Sequence, residues 1–222
     1  MATHSILALY VVTTAIADSM KAYQQAFPAN TGESPASEEA FVDAAAGLAG
    51  IGWLTLTRDS TGAYVIDQAD ALTVEGLTEG HVVTQLYTLL KDFRPQELLV
   101  TDSGIPPLLL RRLVAHELTA PGYDAVPLLN GAFCAGSRLG CSDFNAAAAA
   151  TGLPIPMGTP APRFDHECRV GAISLGLLYL RHQLLRGLLP RAPYAATIKA
   201  VRQQAKLLAR RNLVPRSLPG RF

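Results

Sequence analysis

The last 55 residues of the 222-residue chain contain no aspartate and no glutamate. All 18 acidic residues lie at or before Glu167, whereas 11 of the 19 basic residues lie after it. Residues 1–167 carry 8 basic and 18 acidic groups, a formal −10, and residues 168–222 carry a formal +11. A chain divided in this way either attracts its two parts together within one fold, or offers a basic end to phosphate, where released counterions drive binding. Cysteine is scarce as well. Cys134, Cys141 and Cys168 are odd in number and form no CxxC pair, which argues against a zinc site and fits reduced thiols in a cytoplasmic protein.

Long apolar runs are also missing. The stretch Val170–Leu180 covers 11 residues, well short of the roughly 20 that cross a bilayer, so no membrane span is expected. Ile6–Ala17 faintly resembles a signal peptide, but no Lys or Arg precedes it, and a buried first strand is the expected reading. The Gly-containing stretch GAFCAGSRLGC around Cys134 and Cys141 lacks the Gly-Lys-Ser/Thr ending of a phosphate loop. His81, His116, His166 and His182 share no ligand spacing such as HExxH, so solvated or capping roles are expected for them.

What is present reads as one well-packed α/β protein, 49% hydrophobic and 17% charged. Ser5–Thr13 is apolar and β-branched without alternation, the pattern of a strand buried on both faces. Thr14–Gln25 begins a helix, Asn30–Ser37 is an exposed loop, and Phe41–Ala49 forms a short helix leading into a strand at Gly50–Thr57. A turn at Arg58–Gly62 returns the chain as a hairpin partner at Ala63–Asp67. Thr78 caps a helix that runs to Phe93, Glu97–Thr101 is a second buried strand, and Pro106 or Pro107 starts a helix to about Leu118. From Tyr123 to Gly140 no period stands out. Asp143–Ala150 is a short helix that Gly152 stops, and Leu153–Arg163 is a proline-rich loop.

The stretch Cys168–Gly187 organises the chain. It reads as one long helix, apolar over most of its circumference and hence set under other layers. After Gly187 and Pro190, a last helix at about Tyr194–Arg211 carries two stripes. Ile198, Val201, Ala205 and Leu208 form an apolar one, and Lys199, Arg202, Lys206 and Arg210 form a basic one joined by Arg211. The tail beyond Asn212 is expected to be poorly ordered. Residues 1–190 read as one domain, with 191–222 a basic helix and tail packed on it or extending from it.

The run YLRHQLLRG at Tyr179–Gly187 resembles the closing helix of bacterial predicted 3′-5′ exonucleases related to the proofreading domain of family B DNA polymerases. PQELLVTDSG at Pro95–Gly104, the TAPGYD turn at Thr119–Asp124, the AAAAATGLPIPMG segment and the first strand ILALYVVTT are similar to the family as well. The resemblance spans nearly the whole chain, at weak identity outside the closing helix. It implies a ribonuclease-H-like fold of the DEDD superfamily: a mixed sheet with an antiparallel first three strands and a further parallel strand, flanked by helices.

Active members of that family hold two metal ions, Mg²⁺ or Mn²⁺, on four carboxylates for in-line attack on a phosphodiester. Such ions demand oxygen ligands, so apolar groups cannot replace the acids. The resemblance carries Asp-x-Glu of the first strand onto Val11 and Thr13. The second motif falls on Ser103-Gly104, which runs directly into Ile105-Pro106-Pro107 with no aspartate. The Asp-Leu-Met-Asp segment falls on Pro127–Asn130, with Asn130 at the acidic position. The Tyr-x-x-x-Asp motif falls on Glu167 and Gly171, with Arg169 close by. Every family carboxylate is therefore missing.

The expectation is a catalytically inactive exonuclease-like protein without a cofactor. It would bind DNA or RNA through Lys199, Arg202, Lys206, Arg210 and Arg211, or bind a protein partner. One alternative is a working metal-dependent exonuclease with relocated acids at Asp102, Asp165 and Glu167. Set against it, Asp165 and Glu167 suit the N-terminus of a helix, and Asp102 with Ser103-Gly104 suits a turn. Another alternative is a structural subunit of a larger complex.

Overall fold

The computed structural model describes residues 4–13, 47–75, 77–118, 124–139, 144–154 and 164–221. The expected helix at Thr14–Gln25, the loop at Asn30–Ser37, most of the Thr119–Asp124 turn and most of the proline-rich loop lie outside the described residues. Strand β1 is Ser5–Thr13, and its unbroken apolar run Ile6–Leu9 is fully buried. Successive side chains of a strand point to opposite faces, so a run with no polar member needs both faces covered. Ile6 and Ala8 join one hydrophobic cluster, and Leu7, Leu9 and Val11 join a second.

Strands β2 (Leu48–Arg58) and β3 (Tyr64–Thr73) form the hairpin. β2 begins at Leu48, so the helix expected up to Ala49 gives way to strand at its end. β3 runs six residues beyond the expected Asp67. Its register against β2 slips between Thr55 and Leu56, which leaves Asp67 as the extra residue of a bulge. Helix α1 (Glu79–Phe93) starts at Thr78, whose side chain accepts from the His81 amide. Strand β4 (Glu97–Val100) comes next, then α2 (Ile105–Ala115), with proline in its first turn.

The region without a clear period folds as a short helix α3 (Val126–Asn130), a two-residue strand β5 (Phe133–Cys134) and a single turn α4 (Ala135–Arg138). Helices α5 (Phe144–Ala150), α6 (Phe164–Leu185) and α7 (Arg191–Arg210) complete the chain, with a closing 3-10 turn at Leu218–Arg221.

The five strands lie in the order β3-β2-β1-β4-β5. β1 and β3 are both antiparallel to β2, while β4 and β5 run parallel to β1. Only β2 therefore runs against the rest. α6 lies across β1, β2 and β3 on one face, with α7 beside it against β3, and α1 and α2 cover the other face. Every residue of α6 from Cys168 to Leu180 is buried, consistent with its lack of a polar side.

The crossing of α6 over the sheet is close enough to select glycine on both partners. A Cβ on Gly52 of β2 would stand 2.0 Å from the Cys168 carbonyl oxygen, and one on Gly171 of α6 would stand 2.3 Å from the Tyr10 ring. Contact of this kind brings helix backbone directly onto strand backbone.

The tail corrects the expectation of poor order. Val214 is fully buried and Leu218 is 2% exposed, both within the α6–α7 side of the core. Asn212 adopts the left-handed conformation, with φ 57°, and turns the chain back. The Leu213 amide donates to the Leu208 carbonyl and the Asn212 amide to that of Ala209, paired bonds that close the helix and turn the chain out of its axis.

Candidate functional site

Three places bear on function: the crossing of β1 and α6, the end of β4, and the outer face of α7. At the crossing, strand alternation decides which β1 residues meet the helix. Ile6, Ala8 and Tyr10 face α6, whereas Leu7, Leu9 and Val11 face α1 and α2. Val11 is thus on the opposite side of the sheet from Gly171. Thr13 lies exposed beyond a register shift at the strand end. Asn130 is exposed at the end of α3, whose Leu129 packs on the α1–α2 side. The four positions carried over from the family do not converge. The β1 residue that meets Gly171 is Tyr10.

Tyr10 fills this crossing. Its ring lies over Gly171 and 5.9 Å from the ring of Phe144. Burial raises its hydroxyl pKa first, and the negative potentials of Glu167 and Cys168 add to the shift, so the phenol stays protonated at any ordinary pH. Glu167 is half-buried, with Oε2 enclosed and without a hydrogen-bond partner among the described residues, and burial raises its pKa. The Cys168 thiol is fully enclosed and pushed up to about 12, chiefly by burial, which leaves almost no reactive thiolate.

Next along α6, Arg169 is 7% exposed and holds three elements together. It donates to Asp165 Oδ2 one helical turn away (2.6 Å), to Asp70 Oδ1 on β3 through Nη2 (2.8 Å) and Nε (3.2 Å), and to the Leu213 carbonyl of the tail (3.4 Å). His166, for which the sequence offers no visible partner, has Nε2 2.8 Å from the Asn212 carbonyl. That nitrogen therefore carries the proton. The first turns of α6 serve as a clamp on β3 and the tail, with a guanidinium at its centre.

The relocated acids are dispersed in the same way. Asp102 is exposed at the end of β4, where it accepts from the Gly104 amide (2.9 Å) and the Thr101 hydroxyl (3.0 Å) ahead of α2. Asp165 is taken by Arg169, and Glu167 is near enough to Tyr10 for its charge to raise the pKa of that hydroxyl. Among the described residues no group of three or more His, Cys, Asp or Glu side chains is placed to hold a metal ion.

The outer face of α7 is of another kind. Its inward side chains Thr197, Val201, Ala205, Leu208 and Ala209 are buried against β3 and α6. Thr197 Oγ1 accepts from the Tyr64 amide (2.8 Å) and donates to the Pro193 carbonyl (2.9 Å), fixing the helix to the start of β3. With that face locked inward, Lys199, Arg202, Lys206, Arg210 and the following Arg211 are all exposed. Lys199, Lys206 and Arg210 have no carboxylate partner among the described residues. Lys199, Arg202, Lys206 and Arg210 thus share one solvent face, and Arg211 lies about 100° around the axis from Arg210.

No family model, curated protein or solved structure matches the chain.

Two further clusters escaped the sequence. At the start of β1 and β4, His4 Nδ1 lies 3.0 Å from the Tyr64 hydroxyl and its Nε2 3.5 Å from Glu97, which also accepts from Tyr179. The contacting pairs are 60 to 93 residues apart in sequence, so no local motif announces them. On the opposite face, a hollow of about 270 Å³ opens between α1 and the β2–β3 pair, lined by Trp53, Gln68, Gln85 and Asp92 among others. Finally, no described helix is long and apolar enough to cross a membrane.

Proposed function

We propose that the chain is a ribonuclease-H-like protein related to the 3′-5′ exonucleases that it resembles, and that it binds nucleic acid without cutting it. The observation that carries the binding is the outer face of α7: four cations on a helix whose apolar side is fixed in the core. Charge turned to solvent, with no described carboxylate beside Lys199, Lys206 or Arg210, is available for phosphate.

Two features support the nuclease ancestry. The strand order β3-β2-β1-β4-β5 with only β2 reversed suits a ribonuclease-H-like sheet, and α6 crosses that sheet with the YLRHQLLRG run in its second half. The loss of cutting is supported by what occupies the crossing. A phenol ring stands over Gly171, and a buried arginine lies two residues earlier, where an active relative concentrates negative charge. Two metal ions need free carboxylates, and Arg169 already holds Asp165 and Asp70.

Fluorescence anisotropy with labelled DNA and RNA tests the proposal. Salt-dependent binding is expected, with loss of most of the affinity when Lys199, Arg202, Lys206 and Arg210 are changed together to Ala. These positions are exposed and alanine favours helix, so the variant keeps its fold, which circular dichroism verifies. Binding that persists in the variant sinks the assignment of this face. Degradation of the labelled strands with added Mn²⁺, abolished by Glu167→Gln, would replace the reading with the relocated-acid enzyme.

A further inference from the structure

The geometry of the same face points to the form of nucleic acid, an inference that rests on the proposal above. We propose that α7 lies along the phosphate backbone of one strand of a double helix and reads no base.

Lys199, Arg202, Lys206 and Arg210 are spaced by three, four and four residues. At 100° and 1.5 Å per residue they fall within an arc of about 80° and spread over about 16 Å of helix axis. Because the strand winds around the duplex axis, its phosphates lie further apart along the backbone than their axial rise of about 3.4 Å, and that span meets about three of them. Lys199, Lys206 and Arg210, which have no carboxylate partner among the described residues, match that number, with Arg202 on the same face and Arg211 about 100° around the axis from Arg210. α7 contains no acidic residue, so nothing on the helix itself repels the backbone.

What stands between the cations matters as much. Ala195, Ala196, Gln203 and Leu207 are the other exposed residues along this part of the helix. Tyr194 is its single aromatic, and it is half-buried against the core. Proteins that hold single strands add stacking of bases on aromatic rings, worth about 1–3 kcal/mol per base. α7 has no such platform. Phosphate contact alone releases more counterions from a duplex, about 0.9 per neutralised charge, than from a single strand, about 0.7. An anionic membrane is the poorer partner, because a helix lying on lipid inserts its apolar face, and here Val201, Ala205 and Leu208 are already buried against the sheet.

Anisotropy on the full chain tests this with a mixed-sequence DNA duplex, the matching RNA duplex, each single strand, and labelled phosphatidylserine vesicles. Binding of a duplex with a slope of log K against log salt of about −2.7 to −3.6 is expected, nearly independent of sequence, and single strands should bind more weakly. Lys206→Ala should make the slope shallower by about one. Whichever duplex carries the effect identifies the nucleic acid. A single strand that binds more tightly than both duplexes, with the fourfold Ala variant still inactive, overturns this inference and leaves nucleic-acid binding at α7 standing. Binding to vesicles alone, or to nothing, removes both.

Discussion

Gly171 carries the clearest consequence for a single residue. A methyl group there would stand 2.3–2.6 Å from atoms of the Tyr10 ring, closer than any unstrained contact, and the ring also packs against Phe144 at 5.9 Å between centroids. Gly171→Ala should therefore lower stability by about 1–3 kcal/mol through overpacking. Removing the ring reverses the sign. In a Tyr10→Ala background the same change should be neutral or stabilising, because alanine exceeds glycine in helix propensity by about 1 kcal/mol. Urea denaturation of the four proteins of this cycle measures the coupling. An equal cost in both backgrounds would show that the ring does not select the glycine. That Val11, Thr13, Asn130 and Gly171 carry no acid is plain in the sequence, but the partner of Gly171 is not. β1 is buried on both faces, so it has no alternation to reveal which residues face the helix. A shift of one residue exchanges Val11 for Tyr10. The partners of Arg169 were hidden for a different reason, since Asp70 and Leu213 lie 99 and 44 residues away.

At the scale of elements, what could be read depended on how each one ends. Gly152 and Gly187 take positive φ beyond α5 and α6, and both are recognisable as stops because glycine enters that region without strain. Glu117 and Asn212 take the same conformation beyond α2 and α7, at 52° and 57°, without a glycine to mark it. The turn at Asn212 sends the tail back onto α6, where the Asn212 and Leu213 carbonyls meet His166 and Arg169. Composition alone makes that segment look loose, since its long-range contacts with α6 are invisible in it. β3 extends further than its composition suggests. Ala69, Asp70 and Ala71 have low strand propensity, and pairing along β2 overrides it. The tail is open to a direct test. Leu218→Ala should cost about 2–4 kcal/mol, the ordinary effect of truncating a buried leucine, measured by urea denaturation. No change in midpoint would mean that the tail contributes nothing to the fold.

Across the whole molecule, the division of charge admits two outcomes that the sequence could not separate. Mutual attraction between an acidic body and a basic end would place their charges face to face. Among the described residues, the fold instead turns Lys199, Lys206 and Arg210 to solvent with no carboxylate beside them, and it ties a buried Arg169 to the acidic part through the half-exposed Asp70 and Asp165. Of the ion pairs among the described residues, those of Arg169 with Asp70 and Asp165 are the ones that use a cation from beyond Glu167. Close pairs with one buried member, such as those of Arg169, are screened less by salt than exposed charges more than about 10 Å apart, which lose most of their interaction at 0.1 M. Folding stability should therefore change by less than about 1 kcal/mol between low and moderate sodium chloride, because exposed pairs are individually worth about that or less. Nucleic-acid binding by the same preparation should weaken steeply over the same range. The two measurements together separate the outcomes. A marked fall in the urea midpoint as salt is added would mean that the basic end stabilises the fold by attraction to its acidic part, and the outer face of α7 would then lose its claim on phosphate.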